Sequence, residues 1–257
     1  MKTRNLLSLL ACIAFAAVLS SCTSTTPKEP EKVYTPFEKF ILDTPEYPKT
    51  MVYYQDDELL KQHNYKNPIY VSLKQQRARL YVNGQVAMDW PVSTGVGGHE
   101  TPTGKFRIIE KEHDHASNRY GHIYNADGKC VNYNADIFVD ALPEGGRFEG
   151  SPMPNWMRLT SDGVGMHTGK VQAGKRLSHG CIRTPNRVAV KLYGLTAVGT
   201  PVTIVSGVEE MYPGHEAIAE RAQKDVEDKL AREEAEKKAA ERKAKEEARK
   251  NRKFLWF

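Results

Sequence analysis

Reactive side chains are concentrated in two short stretches, Gly165-Met166-His167-Thr168-Gly169 and Ser178-His179-Gly180-Cys181-Ile182-Arg183. A thiol becomes a strong nucleophile when a neighbouring imidazole lowers its pKa or takes its proton. His167 and His179 are the imidazoles nearest Cys181 in sequence. His179 and Gly180 directly precede the cysteine, where backbone N–H groups can face a developing oxyanion. A glycine at that place lets a substrate approach the backbone closely. Arg183 adds a guanidinium able to hold a carboxylate through two parallel hydrogen bonds. These residue types point to a nucleophilic cysteine. A metal site built from His167, His179 and Cys181, or a cysteine that is only structural, are the alternatives they leave open.

Such groups need a scaffold, and residues from Asn67 to Val205 read as strands. Ile69-Tyr70-Val71-Ser72-Leu73 is a short β-type run. Arg79-Leu80-Tyr81-Val82 and Gln85-Val86-Ala87-Met88 flank Asn83-Gly84, the pair that favours a two-residue hairpin turn. Thr101-Pro102-Thr103-Gly104 is turn chemistry before Lys105-Phe106-Arg107-Ile108-Ile109, and Thr200-Pro201-Val202-Thr203-Ile204-Val205 closes the series. Only Asn186 to Leu195 looks helical here. Several short strands in one region predict a mainly β domain, a sandwich or barrel. Glu110 to Asn155 is weakly patterned and is expected to form a long lid loop over a substrate groove. A metal site at His113, His115, His122 and Cys130 is the competing expectation for that stretch. Cys130 and Cys181 are expected to be free thiols.

The 257 residues suffice for one or two domains with a sizeable core. The net charge of +5, from 37 basic and 32 acidic residues, is weak for a nucleic-acid binder, so no nucleic-acid partner is expected. At 27% charged and 40% hydrophobic residues, the composition excludes a multi-pass membrane protein and a fully disordered chain. The chain begins Met1-Lys2-Thr3-Arg4 with an apolar run from Leu6 to Leu19, the pattern of a secretory signal. Residues 22–66 are expected to form a tether rich in proline and threonine near its start, although Phe37, Phe40, Ile41 and Leu42 leave open whether part of it packs on the domain. Residues 207–257 are expected to form a solvated helix, with pairs such as Glu220/Lys224, Glu233/Lys237 and Glu241/Lys245 at helical spacing. A spacer role, or contact with cell wall, membrane or protein, are both open to it. Its apolar tip is Phe254-Leu255-Trp256-Phe257.

Two resemblances add to this. Leu19-Ser20-Ser21-Cys22 resembles the lipobox of bacterial lipoproteins. That implies removal of residues 1–21, lipid on Cys22, and anchoring to a membrane of the cell envelope facing the wall. His167 with Ser178-His179-Gly180-Cys181-Ile182-Arg183 resembles the signature of the L,D-transpeptidase, or YkuD domain, family. Thr101-Pro102-Thr103-Gly104-Lys105-Phe106, Met153-Pro154-Asn155-Trp156-Met157-Arg158-Leu159 and Gly199-Thr200-Pro201-Val202 resemble further blocks of it, with Asn155 where many relatives have tyrosine. The resemblance implies a β-sandwich of mixed sheets over residues 67–206. It implies Cys181 as nucleophile, His167 as general base, the Thr168 carbonyl orienting that histidine, and the N–H groups of Gly180 and Cys181 holding the oxyanion. His179, Arg183, Ser178 and Trp156 are implied as substrate contacts. The implied partner is a peptidoglycan stem peptide, and no cofactor is required. Hydrolysis of the same thioester, or a non-catalytic wall-binding spacer, are the alternative functions.

Overall fold

The computed structural model describes residues 34–207 and 215–254. The expected leader 1–21, Cys22 and the terminal Leu255, Trp256 and Phe257 lie outside the described residues.

Two mixed sheets carry the fold. The first is built on a meander of β2 (Ile69–Ser72), β3 (Arg77–Val82) and β4 (Gln85–Pro91). Asn83 and Gly84, both at positive φ, turn β3 into β4 as the Asn-Gly pair predicts. β11 (Pro201–Val205) lies parallel to β2, and β5 (Gly104–Arg107) runs antiparallel to β11. β1 (Tyr54–Gln55) pairs with β4 at the other edge, giving the order β1-β4-β3-β2-β11-β5. The second sheet has the order β10-β9-β8-β6-β7, from β10 (Ile182–Thr184), β9 (Gly165–Thr168), β8 (Arg147–Arg158), β6 (Glu110–Tyr124) and β7 (Cys130–Asp136).

Alternate residues of the first sheet, among them Ile69, Val71, Leu80, Met88 and Trp90, share one core with Met157, Met166 and Ile182 of the second. Val188 and Leu192 of α3 (Asn186–Leu195) complete it. Burying this apolar surface is the main stabilising term. β9, which carries His167 and Thr168, and β10, which carries Arg183 and follows Cys181, are thus fixed by the core beneath them.

The segment expected as a tether is, from Tyr34 onward, part of the domain. α1 (Pro36–Asp43) starts with a reciprocal cap between Thr35 and Glu38, and buries Phe37 and Ile41 against Tyr81 and Val86 on the outer face of the first sheet. Beyond α1, the Arg77 guanidinium donates to the carbonyls of Pro48, Thr50 and Val52. Arg77 and Arg79 are both fully buried and share Asp89. Composition does not reveal this packing, because the strap of residues 44–55 is held by arginines and an aspartate that read in sequence as surface charges. A short helix, α2 (Asp57–Leu60), follows.

Residues 110–155, expected as a long loop, instead form the strands β6, β7 and the first part of β8, joined by the turns 125–129 and 137–146. They alternate poorly in hydrophobicity because much of this ribbon is exposed on both faces. β6 and β8 lose register between Ala116 and Gly121, so residues 117–120 bulge from the ladder. The backbones close again where Gly121 meets the Glu149 carbonyl and Gly150 meets that of Ser117, approaches that leave no room for a Cβ.

α4 (His215–Phe254) is a single helix of 40 residues. Tyr34 donates its hydroxyl hydrogen to Asp225 at 2.6 Å, and side chains 227–247 are all exposed. No described helix is long and apolar enough to cross a membrane.

Candidate active site

β9 and β10 lie side by side and parallel, with His167 opposite Arg183. Cys181 is the residue just before β10, and its thiol donates to the Gly163 carbonyl at 3.8 Å. Cys181 and His167 line one groove of about 570 Å³. Arg183, His179, Ser178, Gly180, Thr168 and Trp156 line it as well, so every candidate in the described residues converges there.

His167 is buried, and its Nδ1 donates to the Thr168 carbonyl at 2.8 Å. That bond leaves Nε2 as the acceptor nitrogen of a neutral ring. Burial pulls the His167 pKa down to about 4, against the Thr168 carbonyl, which favours the charged form. Arg183 and His115 add to the downward pull. Burial also pushes the Cys181 thiol up, opposed by the Gly165 N–H and by Arg183. Near neutral pH the two groups are therefore a neutral imidazole and a thiol.

The loop that carries the cysteine is tied to the first sheet. Ser93 exchanges backbone hydrogen bonds with Arg183, and Thr94 and Val96 bond the 177–178 backbone. Ser178 does not face outward as a free contact. Its hydroxyl donates to the Cys181 carbonyl and accepts from the Gly180 N–H at 3.2 Å. This corrects the expectation for Gly180: its N–H is engaged by Ser178. Of the two donors expected for an oxyanion, the Cys181 N–H is the one that no described residue accepts from.

Residues not assigned a site role from the sequence complete it. Thr101 is buried and donates its hydroxyl hydrogen to the Gly180 carbonyl at 2.6 Å while accepting from the Gly95 N–H. Asn155, at φ +56, donates from Nδ2 to Thr168 Oγ1 at 3.0 Å, so it supports the residue that orients His167. Asparagine tolerates the left-handed region better than most residues. The bulge sets Tyr120 on His179 (ring centroids 4.5 Å apart), and His99 packs edge-on to His179 at 4.7 Å. Arg119, beside it, is engaged by Asp136. Trp156 is buried as a groove wall, stacked on His115 at 4.7 Å. His113, His115 and His122 do not gather with Cys130: among the described residues no three His, Cys, Asp or Glu side chains form a cluster that could hold a metal ion. Cys130 and Cys181 are both free thiols.

A family model described as the L,D-transpeptidase catalytic domain, YkuD, matches residues 66–204. The Bacillus subtilis (strain 168) protein that carries the YkuD name is 26% identical over 138 residues, which span 53% of this chain and 64% of that protein. A solved L,D-transpeptidase from Mycobacterium smegmatis is 21% identical over 55% of this chain and 59% of that one, with a TM-score of 0.42. The catalytic domain of the E. faecium L,D-transpeptidase is 29% identical over 56% of this chain and 99% of that one, with a TM-score of 0.40.

Proposed function

This chain belongs to the L,D-transpeptidase family of the YkuD type, and on that premise we propose that it cross-links peptidoglycan stem peptides through a thioester on Cys181. The observation that carries the proposal is the hydrogen bond from His167 Nδ1 to the Thr168 carbonyl, in the groove that Cys181 shares. It fixes the tautomer whose Nε2 can accept the thiol proton.

In the proposed reaction Nε2 takes that proton as sulfur attacks the carbonyl carbon joining the third and fourth residues of a tetrapeptide stem. The carbonyl electron pair moves onto oxygen, where the Cys181 N–H meets it. As the oxyanion collapses the C–N bond breaks, His167 returns the proton to the leaving amine, and D-alanine departs. An amine of a second stem then attacks the thioester, gives a proton to His167, and releases the thiolate, which recovers it. Arg183 has no carboxylate partner among the described residues and is half-buried in the groove, a fitting contact for a substrate carboxylate. No cofactor takes part in this scheme. The leader and the lipobox-like Leu19-Ser20-Ser21-Cys22 support a lipid-anchored enzyme of the bacterial cell envelope, facing the wall.

The test is mass spectrometry of products after purified protein meets tetrapeptide-stem fragments. Dimers linked between two third residues, with release of D-alanine, are expected. Cys181→Ala should abolish them while the circular dichroism spectrum is retained. Dimers from the alanine variant would sink the assignment, and tripeptide without dimer would make the enzyme a hydrolase.

A further inference from the structure

We infer that Thr101 is a positioning residue for the oxyanion donor, and that its hydroxyl sets the plane of the Gly180–Cys181 peptide. This rests on the acyl-transfer reading above and adds to it a group far from the cysteine in sequence.

The geometry is short to trace. Gly180 C=O and Cys181 N–H belong to one peptide unit, which is trans, so they point in opposite directions. The Thr101 hydroxyl, 3% exposed, donates to the Gly180 oxygen at 2.6 Å from beneath the loop. Drawing the carbonyl inward turns the Cys181 N–H outward, to the groove side on which the cysteine lies. Gly180 adopts φ +114, a conformation that L side chains rarely reach, so only glycine permits this plane. Thr101 is itself held, because its oxygen accepts from the Gly95 N–H at 2.9 Å. Ser178 anchors the neighbouring units through the Gly180 N–H and the Cys181 carbonyl, but leaves the Gly180 carbonyl to Thr101. With Gly180 N–H engaged, the orientation of one donor decides the oxyanion site, and one hydroxyl fixes that orientation.

Two reactions at the same sulfur separate this role from a merely structural one. A carbapenem is attacked at its lactam carbonyl: the S–C bond forms, the ring C–N bond breaks, the nitrogen takes up a proton, and an oxyanion forms on the way. Iodoacetamide is attacked at a saturated carbon: S–C forms, iodide leaves, and no oxyanion arises. In the full-length chain, Thr101→Val keeps the shape and deletes the hydroxyl. Carbapenem acylation should slow about tenfold to a hundredfold, less than or equal to the usual loss of a whole oxyanion donor. Alkylation of Cys181 should stay within about twofold, and Thr101→Ser should restore acylation, since these are the responses of a hydroxyl acting on the donor alone. If the valine variant fails to fold, Thr101→Ala carries the same comparison. Equal losses in both reactions, or acylation as fast as in the native chain, overturn the inference. A native chain that alkylates at Cys181 but never acylates overturns the acyl-transfer reading itself, and the role of Thr101 with it.

Discussion

The His167 imidazole is neutral at pH 7 because burial costs its charged form more than the Thr168 carbonyl returns. The sign is simple. With the folded pKa lowered to about 4 from 6.5, the ring still accepts a proton throughout the range between those values. The acid limb of carbapenem acylation should therefore have its midpoint near pH 4, with a plateau above about pH 5. Stopped-flow rates across that range check this, and a midpoint near 6.5 would mean that water reaches the ring. At this scale the gathering of Cys181, His167 and Arg183 in one groove was legible through the motif that resembles the family, while residue type and spacing alone left a metal site open. Thr101 and Asn155 stand in blocks that resemble the family, but what their side chains bond was not legible. A hydroxyl or an amide that steadies a distant group acts across folded space, and no sequence spacing marks it. Even the Gly180 assignment needed the structure, since the serine two residues earlier competes for its N–H.

Among the elements, the meander β2–β4 and the closing β11 were legible from alternation and turn residues, whereas β6–β8 were hidden by exposure on both faces. β3 shows how a strand buried on both sides can carry charge. Its inner residues join the shared core, while Arg77 and Arg79 face the strap and meet Asp89. Burial would push the Asp89 carboxyl up, yet the two guanidiniums hold it below the usual carboxylate range. Asp89→Asn would leave two buried cations short of their anion. It should destabilise the domain by about 3–5 kcal/mol, read as a lower denaturant midpoint, and it should loosen the strap first. Faster backbone hydrogen exchange confined to residues 45–55 would mark that order of events. An unchanged midpoint would show that the three side chains are not acting as a unit.

For the molecule as a whole, the modest +5 charge is an average over a β domain and a densely charged helix. α4 leaves the side chains of residues 227–247 in solvent, with pairs such as Glu234–Lys238 at 2.6 Å along its own surface. Such pairs support a helix locally and need no partner. Deleting the helix from residue 227 onward should thus keep carbapenem acylation of Cys181 within about twofold, a change expected when the described side chains removed are solvated. The helical signal should fall at the same time. A loss above tenfold would tie the helix to the groove.

The bulge at residues 117–120 has a consequence for the groove wall. The ladder is interrupted for four residues and then resumes, with both joints sealed by backbone contact at Gly121 and Gly150. An insertion pinned in this way is a cassette. The pairing of β9 with β10 does not run through it. It lines the groove and lays Tyr120 on His179. Replacing Tyr120 would therefore reshape the wall of the groove while the pairing of β9 with β10 stays as it is.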